Sequence, residues 1–167
     1  MTQFKNLLAI LTVVLVVSSL SLLINVGGAN RSRPVEFSDT LTIGGTSSGL
    51  LELQERGYVL PRAEVFYSQY RYVTGYYGIK SMVNDIKSED TRLVFGTPIQ
   101  IYVSDFSNTS PELSEKGYIN VTTEEKQEPG WVEASDAYFV VGSRAKSLIG
   151  DAVVPFSERE DAERFVR

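Results

Sequence analysis

Two absences decide much of the chemistry open to this sequence. Its 167 residues contain no cysteine and no histidine. A cysteine nucleophile, a disulfide framework, a thiolate zinc site and an iron–sulfur cluster are therefore excluded. So are a Ser-His-Asp triad and an imidazole metal site. The soft donors left are the thioethers of Met1 and Met82. Asp105 and Asp136 offer oxygen to a hard cation, but no clustered acidic loop of the EF-hand kind surrounds either. Asp105 ends a strand-like segment, and its side chain is expected to cap the following turn. A general-base role would need a second carboxylate, which no motif places. We assign no catalytic residue and no metal site, and we expect a protein that is not an enzyme.

Other candidates are surfaces rather than reactive groups. Tyr67, Tyr70, Tyr72, Tyr76 and Tyr77 are five of the nine tyrosines. They read either as a contact surface, each ring carrying one polar tip, or as a strand and helix start packed under a small sheet; packing is the better reading. Arg71, inside that run, can pair an anion or lie solvated. Ser143-Arg144-Ala145-Lys146 puts two cations on a turn, by default a solvated one. Trp131 reads as a core or edge anchor.

Composition narrows the class of partner. Lys5, Arg31 and Arg33 are the charged residues of the first 34, so 13 of the 16 basic groups face all 21 acids in the remaining 133 residues. That acidity argues against nucleic acid or an anionic membrane surface as the main partner. Leu7 to Ile24 is an uncharged 18-residue stretch, long enough to span a hydrocarbon core that needs about 17–25 residues. Small residues follow it. Ala29 with Gly27, or Gly28 with Val26, suits signal peptidase, so an uncleaved anchor and a cleaved signal both fit. The sequons at Asn30, Asn108 and Asn120 agree with export.

The elements that would position these residues can be read in order. Residues 1–29 form the signal or transmembrane segment, 30–49 a linker with a short strand at Thr40 to Ile43, and 50–167 the domain. Leu50 to Arg56 predicts a short helix stopped by Gly57. Val65 to Val73 is extended in part. Ile79, Met82, Val83 and Ile86 make one apolar stripe of a helix over Tyr76 to Lys87, which gives Met82 a packing role. Ile99 to Val103 alternates as a strand. Residues 107–130 read as a long polar loop with a hairpin near Tyr118 to Val121. Ala137 to Val141 is a continuous apolar run suited to a central strand, and Ala152 to Val154 is another strand. Ser157 and Glu160 have the spacing of a capping box opening the last helix, with Ala162, Phe165 and Val166 on its inner face. The order is α+β in two similar halves, the second lacking a closing strand.

Residues Trp131 to Ser143, then Gly150, Pro155-Phe156 and Ala162 to Phe165, resemble the NosL family. Val103-Ser104-Asp105-Phe106 resembles that family's V-T-D-Y strand end, and Val65 to Tyr70 resembles its haloarchaeal versions. The resemblance covers roughly residues 58–167. It implies two ββαβ-like halves, similar to the organomercurial lyase MerB, behind an N-terminal transmembrane or signal helix. It also implies a membrane-linked extracytoplasmic accessory that handles copper or assembles nitrous oxide reductase beside an ABC-type transporter. Cu(I) prefers thiolate and thioether sulfur. The family's Cys-Gly-Met segment has no counterpart here, and Ile149-Gly150 stands at its Met-Gly motif. A scaffold that binds a membrane protein partner without metal is the alternative. MerB-type chemistry uses cysteines, which this chain lacks.

Replacing both Val14 and Val16 by Arg should release the protein from the membrane fraction, since each central charge costs about 2.5–3.5 kcal/mol. Unchanged fractionation of that double variant would refute membrane targeting by this stretch.

Overall fold

The computed structural model describes residues 33–43, 48–121 and 128–166. The Leu7 to Ile24 stretch lies outside them. Among the described residues, no helix is long and apolar enough to cross a membrane. Chain contacts divide the protein between Arg33 and Pro34, and the second of these units is described here. In order it contains β1 (Leu41–Ile43), α1 (Ser48–Glu55), β2 (Ala63–Tyr67), β3 (Thr74–Tyr76), α2 (Ile79–Ile86), α3 (Glu89–Phe95) and β4 (Pro98–Asp105). Then come β5 (Pro111–Leu113), β6 (Ile119–Val121), β7 (Gly130–Glu133), β8 (Tyr138–Val140), β9 (Val154–Phe156) and α4 (Arg159–Val166). Single 3-10 turns lie at Phe37–Asp39 and Ala134–Asp136.

The main sheet has the order β1-β3-β2-β4-β7, with β1 parallel to β3 and every other pair antiparallel. Because opposed residues in paired strands share a face, the register defines two rows across all five strands. Ile43, Tyr76, Ala63, Val103 and Val132 form one row; Thr42, Gly75, Glu64, Tyr102 and Glu133 form the other. The first row is apolar but for one hydroxyl and packs with Ile79 and Met82 of α2. Met82 is 3% exposed, so the expected helical stripe is a packing stripe. The helix itself begins at Ile79, after Gly78, because Tyr76 belongs to β3.

β2-β3-α2-α3-β4 realises a ββαβ order with a second helix inserted, and β8-β9-α4 repeats its ββα part. Several expectations need correction. The short strand expected at Thr40 to Ile43 is β1, and a 3-10 turn that the reading did not place precedes it. Helix α1 forms as expected and ends before Gly57, whose φ of 79° few other residues adopt. The hairpin expected near Tyr118 to Val121 forms, with β6 at Ile119–Val121, but its other strand, β5, lies earlier, at Pro111–Leu113. Ala137 to Val141 is not a central strand. Among the described residues its core, β8, pairs only with β9, in a two-stranded ribbon, and Tyr138, Phe139 and Val141 are exposed. Only one side of the ribbon meets the second core, where Val140, Val154 and Phe156 join Phe106, Ile119 and Ala162. The strand expected at Ala152 to Val154 lies two residues later.

The capping box is also replaced. Helix α4 starts at Arg159, not at Ser157. The Ser157 amide donates to Asp105 Oδ1 (2.8 Å), and the Glu158 amide donates to Ser107 Oγ (2.9 Å). The end of β4, distant in sequence, thus takes the Ser157 amide that Glu160 was expected to cap locally, and the neighbouring Glu158 amide with it. Asp105 Oδ1 also accepts from the Ser107 amide at 3.0 Å, which is the turn cap read from the sequence. Beside it the Phe106 amide donates to the Pro155 carbonyl at 3.1 Å. One strand end therefore ties the five-stranded sheet to the β8-β9-α4 unit.

Burial alone would raise the Asp105 carboxyl, but hydrogen bonds from Ser107 and Ser157 outweigh it and hold the pKa below the ordinary value. A depressed carboxyl stabilises the fold above its unfolded pKa of about 3.9 and loses that contribution as pH falls through the folded value. Asp105→Ala should cost about 1–3 kcal/mol at neutral pH by stranding two amides. The stability gap between wild type and Asp105→Asn, followed by urea unfolding, should shrink below about pH 4. A gap independent of pH would show that the carboxylate charge does not hold this joint.

Candidate functional site

The polar row of the main sheet is covered differently from the apolar one. Residues 34–40 run over it, and Gly75 makes their close approach possible: a Cβ there would collide with the Thr40 side chain and press on Phe37. The Val35 amide donates to Glu64 Oε2 at 3.0 Å. Phe37 then sets its ring 4.9 Å from Tyr77, edge-on, and 6.1 Å from Trp131, stacked.

Arg62 enters this cluster from the residue before β2. Its backbone is fixed by Ser104, whose Oγ accepts from the Arg62 amide (2.6 Å) and donates to the Arg62 carbonyl (3.1 Å). The guanidinium lies 5.0 Å from the Phe37 centroid and 5.6 Å from that of Trp131. Cation–π contacts contribute about 0.5–2 kcal/mol each, more when desolvated, and the Arg62 side chain is 15% exposed. Its Nη2 donates to Glu128 Oε2 at 2.8 Å, while Glu128 is 77% exposed. An ion pair with one partner so exposed contributes about 0–1 kcal/mol. The rings therefore do more than Glu128 to hold the guanidinium in place.

Cavities of about 460 Å³ each open on both sides of this arginine. Gln54, Arg62, Tyr77 and Glu128 line both. Tyr58, Val59 and Leu60 add to one, and Pro34, Phe37 and Trp131 to the other. The first is mainly apolar, as ligand pockets are, and the second is mainly polar, with Glu36, Ser38, Gln54 and Glu128 beside its aromatic rings. Glu64 is fully buried, and its Oε1 has no hydrogen-bond partner among the described residues. Desolvation raises its pKa, against the Val35 amide and Arg62, which lower it.

The sequence candidates fall in different places. The tyrosine run divides between the two faces of the sheet. Tyr67 and Tyr76 are buried in the apolar core, their hydroxyls 3.2 Å apart, and Tyr76 donates to Asp85 Oδ2 at 2.6 Å. Burial first, then the bonds to Asp85 and Tyr67, raise the Tyr76 pKa and keep it a donor. Tyr70 packs on Phe95, Tyr72 is exposed beside Arg71, and Tyr77 alone reaches the groove. Lys146 pairs with Asp151 at 2.6 Å, and Ala145 is buried. Asp136 is exposed. Among the described residues, no group of three or more acids could hold a metal ion. Trp131, expected as an anchor, is a wall of the groove.

Phe37, Arg62, Glu64 and Glu128 escaped the sequence reading. Arg62-Ala63-Glu64-Val65 alternates polar with apolar, the signature of a strand with two different faces; beginning the strand at Val65 concealed it.

A model of the NosL family matches residues 55–167. The chain belongs to the NosL family. No curated protein sequence matches it. Its fold is similar to the crystal structure of the copper chaperone NosL from Shewanella denitrificans, with a TM-score of 0.54 over 81% of this chain and 84% of that one. Sequence identity between them is 17%, so the likeness is one of fold. The mixed α+β architecture is thus a NosL-family architecture. Arg62, Glu64, Glu128 and Trp131 fall within the matched residues, and Phe37 precedes them.

The buried carboxyl at Glu64 makes a pH signature. A raised carboxyl pKa means that the folded state binds its proton longer, so stability falls as pH rises from about 4.3 toward the folded value. The stability of Glu64→Gln relative to wild type should therefore rise with pH across that window and level off above it. A difference that stays flat from pH 4 to pH 8, measured by urea unfolding, would contradict burial of this carboxyl.

Proposed function

We propose that this NosL-family chain is an extracytoplasmic accessory protein, held at the membrane through Leu7 to Ile24, that serves copper handling in the assembly of nitrous oxide reductase. It acts by binding, not by catalysis. The family match over residues 55–167 carries this reading, and the fold shared with a copper chaperone supports it. The donors of the domain fit the assembly part of the role better than the carrying of Cu(I). The Met82 thioether is buried in the core, no cysteine or histidine exists, and Ile149 offers no sulfur.

That burial favours a second reading: a scaffold that engages a membrane protein partner, the reductase or its ABC-type transporter, without holding the metal. Two measurements separate the readings. Deleting the gene should lower the copper content of the reductase, and a Met82→Leu chain should restore it as well as wild type does. Undiminished reductase copper after deletion would overturn the accessory role. Cu(I) retained by the full chain against bicinchoninate, and lost in Met82→Leu, would overturn the metal-free form.

A further inference from the structure

We propose that the Arg62 groove is a binding site for a carboxylate carried on an apolar or aromatic body, and that Glu128 is its intramolecular placeholder. Three observations support it. The guanidinium is held in advance against the stacked Phe37 and Trp131 rings, 5.0 and 5.6 Å from their centroids, and the Arg62 side chain is 15% exposed. A planar, oriented fork of this kind matches a carboxylate, and because the rings already fix it, little side-chain freedom is lost when a ligand binds. Glu128, the carboxylate now on it, is 77% exposed. Such a rim acid stabilises the pair little and yields its place to a ligand that adds contact area. The adjoining cavities supply that area: Tyr58, Val59 and Leu60 on one side, Pro34 and Pro129 on the other, each space about 460 Å³.

The surrounding charge sets the specificity. The chain carries five more acids than bases overall, so an exposed anion has no general attraction to it. Recognition must come from the local geometry of one arginine in a largely desolvated aromatic setting, where a charge-assisted hydrogen bond is stronger than in water. Glu64, with an unpartnered buried oxygen, lies on the same sheet face and shares the field of Arg62. Glu36 lines the same space as Glu128, so a bound carboxylate is favoured only where it reaches the Arg62 guanidinium and displaces Glu128 from it. The inference concerns the groove alone and stands or falls apart from copper handling.

Trp131 is the single tryptophan of the chain, so its fluorescence reports the groove in the full-length protein in neutral detergent. Benzoate is the probe and benzamide its uncharged counterpart. A blocked Leu-Glu-Leu tripeptide and its Leu-Gln-Leu counterpart test whether the carboxylate belongs to a free small molecule or to a protein side chain. A saturable change with benzoate or with the glutamyl tripeptide is expected, and none with the uncharged counterparts. Glu128→Gln should tighten binding by about two- to five-fold by removing a weak competitor. Arg62→Lys should abolish it, because a point-like ammonium does not reproduce the stacked fork. Equal responses to benzoate and benzamide, no response to either carboxylate, or no tightening in Glu128→Gln would overturn the proposal. The exposed Glu128 substitution decides the matter even if Arg62→Lys fails to fold.

Discussion

The contact on which the rest of the domain depends is the carboxylate of Asp105. It stands where β4 ends and holds the amides of Ser107 and Ser157 on one oxygen. Ser107 in turn accepts from the Glu158 amide. The N-terminal end of α4 and the last residues of β9 are therefore fixed to a central strand of the main sheet. Phe106, the next residue, is buried among Val154, Phe156 and Ala162 and so closes the second core from the same point. A ribbon of two three-residue strands is too small to be stable alone. It gains its place from this joint and from the helix that the joint orients.

With β4 fixed, the sheet can present two unlike faces. The row through Ala63 and Val103 packs under α2 and makes the larger apolar core. The row through Glu64 and Tyr102 carries charge and aromatic rings and lies under residues 34–40. Placing a glutamate at zero exposure with one oxygen unpaired costs stability. Cores do not gain from such a group, whereas functional sites hold them often. The polar face is therefore the part of the fold where stability has been given up, and it is the face that opens into the groove.

The NosL-family scaffold accordingly separates fold from ligand. Helix α2 presents a methionine, but to the core. A fold similar to that of a copper chaperone is present at 17% identity, while cysteine and histidine are absent. Function sits on sites grafted onto folds. In this chain the preorganised group is an arginine against two stacked rings, not a sulfur.

Local pattern alone determined a good part of this protein. The stripe Ile79, Met82, Val83 and Ile86 placed α2 and predicted packing for Met82, because helical periodicity is written in consecutive residues. Alternation marked the strand through Ile101 and Val103, Gly57 marked the end of α1, and order and spacing along the second half indicated the NosL family. What failed was whatever depended on a distant partner. Ala137 to Val141 has the apolar run of a central strand, yet only pairing decides that, and it pairs with β9 alone. Ser157 and Glu160 have the spacing of a capping box, but a carboxylate 52 residues upstream reached the amide first. The groove was least legible of all. Phe37, Arg62 and the Glu128–Trp131 pair come from three separate segments, and no spacing rule connects them. Only the sheet register and the close approach at Gly75 bring their side chains together.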